Sequence, residues 1–215
     1  MSACVQVSPH QGMLYPLTLG DEVNFRLTYD GPLKAASQSD TRRVDKHRMR
    51  CVFSRQLFNL FANRDVLTKQ VDEPSFRQTF KRYKRGAFPC FPLVRADLHL
   101  VCDLDILFLR RENPGSLIGA GGDLDNRIKV LFDALRVPAD DNEVRDLKPD
   151  PGKELEYLVC LTEDDQLITG FRCTTDRLLE PANSEVEKNN VRLIINVEVK
   201  ATKLTTENMG YFSHF

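Results

Sequence analysis

The stretch LHLVCDLDILF, Leu98 to Phe108, puts Leu98, Leu100, Cys102, Leu104, Ile106 and Phe108 on one side of an extended chain. Successive strand side chains point to opposite faces, so this strict alternation predicts a long half-buried strand. A polar, glycine-rich connection follows from Arg110 to Gly122, and then the period changes. In GAGGDLDNRIKVLFDAL, Gly119 to Leu135, the residues Leu124, Ile128, Leu131 and Leu135 form a helical stripe that opens at Asp123 or Leu124 and that Pro138 helps to end. Upstream, Val23, Phe25, Leu27 and Tyr29 alternate with polar residues until the Asp30-Gly31-Pro32 turn. A helix is predicted from about Val44 to Asn63, with Met49, Phe53, Leu57 and Leu60 on one face and Lys46, Arg48, Arg50 and Arg55 on the other. Two further strands are expected near 166–173 and 191–199. The order β, α, β, α, β, β predicts an α+β fold, a small mixed β-sheet covered by helices.

With 215 residues the chain can bury a sizeable core in one domain, which we assign to 21–200. Residues 1–20 are expected to form an N-terminal arm and 201–215 a weakly ordered tail. The irregular stretches near 64–92 and 138–160 read as insertions. The six cysteines are scattered without a CxxC pair, as reduced thiols of a cytoplasmic protein would be. No secretory leader or membrane-spanning run is evident, so no membrane partner is expected.

The net charge of −1 conceals a segregated distribution. Thr41 to Arg85 holds 13 Lys or Arg against 4 Asp or Glu, and the remainder to the C-terminus is acidic. Such a chain can offer a polyanion a cationic track beside an acidic site, unless the two regions neutralise each other in the fold. The run FRQTFKRYKRGAF interleaves Arg77, Lys81, Arg82, Lys84 and Arg85 with Phe76, Phe80 and Tyr83, a pattern able to follow phosphates and stack on bases. A solvated loop has the same composition. Arg127, beside the first acidic cluster, joins the candidate DNA contacts.

Two acidic clusters carry the chemistry. The first holds Asp123, Asp125, Asn126 and Lys129; the second, EDDQLITGF, holds Asp164 and Asp165. At 100° per residue Asp125, Lys129 and Asp133 lie on one side of the helix, away from its apolar stripe. Magnesium is a hard ion satisfied by a few carboxylate oxygens, and lysine adds fixed positive charge against a developing phosphorane. The alternative is a capping Asp123 and an Asp125–Lys129 surface pair. Asp140 and Asp141 form a competing acidic pair nearer the helix. His99, Asp103 and Asp105 share a strand face that can bind metal, though a half-buried strand's polar face looks the same.

The pattern DLDNxxK, then FDAL, then DD before a strand resembles the RusA-like Holliday junction resolvases, mainly over residues 123–199, with an echo in LTYDGPLKAASQ. The resemblance implies an Mg2+-dependent endodeoxyribonuclease, with Mn2+ as a substitute ion, acting on branched or four-way junction DNA. It implies Asp123 and Asp125 as metal ligands and Lys129 as catalytic lysine. Asp164 and Asp165 would supply the later ligands, Asp165 with a catalytic role and Asp140 and Asp141 in reserve. Symmetric cutting of a junction requires two sites, hence a homodimer. A catalytically inactive nucleic-acid-binding or assembly subunit that keeps the fold is the alternative.

Overall fold

A computed structural model describes residues 22–33, 39–62, 74–111, 123–147, 157–181 and 190–212. The predicted arm at 1–20 lies outside the described residues. Among these residues six strands and four α-helices follow in the order β1 (Glu22–Pro32), α1 (Ser39–Ala62), α2 (Pro74–Arg82), β2 (Cys90–Val94), β3 (Leu100–Arg110), α3 (Asp123–Leu135), β4 (Leu158–Thr162), β5 (Ile168–Arg177), β6 (Asn190–Ala201) and α4 (Met209–Phe212). The fold is α+β, with a mixed sheet in the order β1-β6-β3-β5 and a second, two-stranded sheet of β2 and β4. Among the described residues no helix is long and apolar enough to cross a membrane.

The β3 pattern decides the layering, as its alternation implied. Leu100, Cys102, Leu104, Ile106 and Phe108 are buried. The same face of β6 buries Val191, Leu193, Ile195, Val197 and Val199. Against it pack Met49, Phe53 and Leu57 of α1 and Ile128, Leu131 and Leu135 of α3. β6 runs antiparallel to both β1 and β3, whereas β5 runs parallel to β3. The β3–α3–β5 path is therefore a crossover between parallel strands, which needs an intervening helix. A smaller core of Cys51, Tyr83, Phe88, Cys90, Val137, Val144, Leu158 and Cys160 lies beside β2 and β4.

Four expectations change. Residues 74–92 are not irregular: Pro74 opens α2, a position where its missing N–H costs nothing, and Cys90–Val94 is a strand. The stretch 138–160 likewise contains β4 and a 3-10 turn, Asp141–Val144. Both missed strands are buried along their whole length, so neither alternates. The Asp30-Gly31-Pro32 segment continues β1, pairing with Asn190 to Arg192, instead of turning. A Cβ on Gly31 would stand 2.7 Å from the Tyr29 hydroxyl, which donates to the Pro32 carbonyl at 2.9 Å. Glycine is what lets the ring fold back over the strand. Finally, the tail past Ala201 is anchored. Asn208 is fully buried and its amide donates to the carbonyls of Leu98 (2.8 Å) and Lys203 (2.7 Å).

The basic face of α1 is divided. Arg48 and Arg55 are exposed, but Arg50 is 1% exposed and Lys46 8%. Arg50 donates to the Asp133 carbonyl (2.8 Å) and Glu143 Oε2 (3.0 Å), Lys46 bridges Asp133 and Glu143 (3.3 Å each), and Arg136 bridges the same two acids. Part of the opposite charge read from the sequence is thus neutralised internally.

Candidate metal centre and nucleic-acid interface

Helix α3 begins at Asp123, whose side chain lies outside the described residues. Asp125 and Lys129 stand on its exposed side. Among the described residues neither enters a salt bridge or side-chain hydrogen bond, so the i,i+4 pair that would explain them away is not formed. Asp133, on the same side, is held by Lys46 and by Arg136 at 2.7 Å.

The second acidic cluster lies on a 3-10 turn, Asp165–Leu167, between β4 and β5. Asp164 caps it, its carboxylate accepting from the Gln166 N–H at 3.0 Å. Asp165 is exposed and, among the described residues, its carboxylate is uncommitted. The turn packs against α3 and β3. Val137 N–H, just past α3, donates to the Thr162 carbonyl at 3.0 Å, and Phe132 meets Phe171 edge-on at 5.2 Å. The helix therefore descends toward the turn, with Asp125 about 15 Å up the axis from Leu135. Among the described residues no group of three His, Cys, Asp or Glu side chains gathers as a metal site.

Asp140 and Asp141 form a similar turn with a different attachment. Asp140 accepts from the N–H groups of Asn142 (2.9 Å) and Glu143 (3.2 Å). Asp141 accepts from Gly86 N–H at 2.7 Å, and the turn packs against α1. Both carboxylates of the reserve pair are thus engaged by backbone.

Of the predicted DNA contacts, Lys81 and Lys84 are exposed at and just beyond the end of α2. Arg82, also exposed, bridges Asp97 at 3.0 Å and Glu163 at 3.8 Å. Glu163 in turn accepts from Ala96 N–H at 3.1 Å. The basic helix end and the second acidic turn are consequently neighbours, an adjacency that no sequence spacing announced. Arg85 donates to the Pro138 carbonyl at 2.9 Å and Arg127, buried, to that of Leu33; both guanidiniums hold the fold together. The Arg77 and Phe76 side chains lie outside the described residues. The proposed base stacking fails for two rings: Tyr83 is buried, and Phe80 packs on Phe91 and Tyr157. Burial pushes the Tyr83 phenol up to about 12, with the nearby Glu163 charge adding to the rise.

The sheet face away from the helices carries Asp103 and Asp105, in a shallow depression also lined by Asn24, Arg172, Asn196 and Glu198. Asp103 accepts from Thr169 Oγ1 (2.7 Å) and Lys200 Nζ (2.9 Å), which hold its carboxyl below the usual range. His99 does not share this face; it sits in a left-handed turn before β3 with φ 54°. The His99, Asp103, Asp105 set is therefore not assembled. No family model matches the chain, and neither the curated proteins nor the solved structures yield a match.

Proposed function

We propose that this chain is an Mg2+-dependent endodeoxyribonuclease that hydrolyses phosphodiester bonds in branched DNA, in the manner of the RusA-like resolvases it resembles. The observation that carries the reading is the adjacency of the basic end of α2 to the acidic turn that packs on α3. A polyanion lying on Lys81 and Lys84 would pass the turn bearing Asp165.

The donor chemistry suits a hard divalent ion: Asp125 and Asp165 are exposed carboxylates with no internal partner among the described residues. Asp123 and Asp125 would hold it at the start of α3, and Mn2+ could replace Mg2+; bringing in Asp164 and Asp165 requires the turn to move from the C-terminal end of α3 toward that start. When bound, such an ion supplies charge neutralisation at the phosphodiester and a lowered pKa for water. Lys129 would set its ammonium against charge developing on the phosphate oxygens. Lys81, Lys84 and, after exchange of its carboxylate partners, Arg82 would orient the backbone.

The test is cleavage of four-way junction, flap, fork and linear DNA by the purified chain with Mg2+ or Mn2+. Nicking of the branched substrates is expected, with Asp125→Asn reducing it at least about 100-fold at unchanged thermal stability. No cleavage of any substrate with either ion overturns the enzyme reading.

The placement of the Asp164–Asp165 turn by the C-terminal end of α3, away from Asp125 at its start, favours one second reading, a nucleic-acid-binding subunit without activity. It requires salt-sensitive DNA binding that Asp125→Asn leaves unchanged, and no thermal shift on adding metal.

A further inference from the structure

The two edges of the main sheet are finished differently. On β1 the Gln56 amide of α1 satisfies Thr28 in both directions: Oε1 accepts from its N–H at 2.8 Å and Nε2 donates to its carbonyl at 2.6 Å. On β5, the opposite edge, nothing among the described residues pairs with the strand. Leu178 N–H donates inward to the Arg110 carbonyl, which fixes the parity of the strand. The backbone groups of Phe171, Cys173, Thr175 and Arg177 then point outward. An edge of this kind is a template for another strand.

We infer that β5 is the pairing edge for a second copy of this chain, joined antiparallel about a two-fold axis at Thr174. Three observations select that occupant and register. First, the strand is self-complementary. About Thr174, Arg172 faces Asp176 of the other copy twice, in the closely spaced, non-hydrogen-bonded positions where side chains approach best. Centring the axis at Arg172 would instead oppose two arginines, and centring it at Cys173 leaves the charges unmatched.

Second, these charges are available. Among the described residues the Arg172 guanidinium has no ion pair, and the Asp176 carboxylate accepts from the adjacent Arg177 N–H at 2.6 Å. That bond covers an outward donor which the second strand would take over. Third, Phe171 is 56% exposed on the helix side of the sheet. The same register lays Arg177 of the other copy opposite its ring, a cation–π arrangement. Pairing makes one isologous interface and continues the sheet across both copies. A homodimer was expected from the proposed cleavage chemistry; this surface rests on the strand alone.

The experiment is the mass of the full chain by analytical ultracentrifugation across micromolar concentrations, without DNA or added metal. A dimer is expected, weakened at least about tenfold in Kd by Asp176→Arg and restored by combining it with Arg172→Asp. In a Thr175→Cys variant the introduced thiol of one copy faces Cys173 of the other, so mild oxidation should give a covalent dimer. A monomer throughout the range overturns the proposal. So does a dimer that ignores the charge reversal and fails to cross-link. Because no cleavage is measured, the result stands apart from the nuclease test.

Discussion

The turns at Asp140-Asp141 and Asp164-Asp165 share a local design and differ in their attachment. Each opens with an extended aspartate whose carboxylate caps a 3-10 turn. In the first, Asp141 is bonded to Gly86 and Glu143 reaches Lys46, Arg50 and Arg136. In the second, Glu163 is tied to Ala96 and Arg82, while Asp165 faces solvent. One acidic turn fastens α1 to the end of α3; the other keeps a carboxylate free. Consecutive acids therefore say little until their tertiary partners are known.

Glu143 ties the first turn to three cations, Lys46, Arg50 and Arg136, and is where the largest effect is expected. Glu143→Ala leaves Arg50, 1% exposed, without its carboxylate, and a loss of about 3 kcal/mol is expected. Chemical denaturation would show it as a lower midpoint at unchanged slope. Asp141→Ala removes the acceptor for Gly86 N–H and should cost about 1 kcal/mol in the same measurement.

The second turn is probed through Tyr83. Its ionisation is held up to about 12, so in the folded protein its absorbance change should come late in an alkaline titration. The raised value means that its stabilising contribution is complete below the ordinary tyrosine range near pH 10 and is lost as pH rises through about 12. Glu163→Gln should lower that midpoint without abolishing the rise, since burial is its larger cause. Asp165→Ala is the smallest structural perturbation, expected within about 0.5 kcal/mol of the parent. A large destabilisation there would mean that both turns are structural.

Much of this architecture is legible in the chain. The alternation of β3 and β6 and the Leu/Ile stripe of α3 gave the layers because each element has one wet face and one dry face. β2 and β4 were hidden by the opposite circumstance: CFPLV and LVCLT are buried along their whole length, and Pro92 also argues against a strand. The candidate site was only partly legible for a related reason. The exposed Asp125, Lys129 and Asp165 follow local helix and turn grammar, but the commitments of Arg82, Arg85 and Arg127 depend on partners distant in sequence. The Arg82–Glu163 contact joins residues on either side of α3, and no spacing rule encodes it.

Asn208 bears on how the chain can be cut. With its amide spanning the carbonyls of Leu98 and Lys203, it acts as a clasp closing the C-terminal strand over the turn before β3. A version shortened at Ala201, where the sheet ends, would strip the Leu98 carbonyl of that donor at the start of the central strand. Trimming and tagging should therefore leave the residues through Phe212 in place, and deletion scanning from the C-terminus should show a sharp drop in soluble yield once Asn208 is removed.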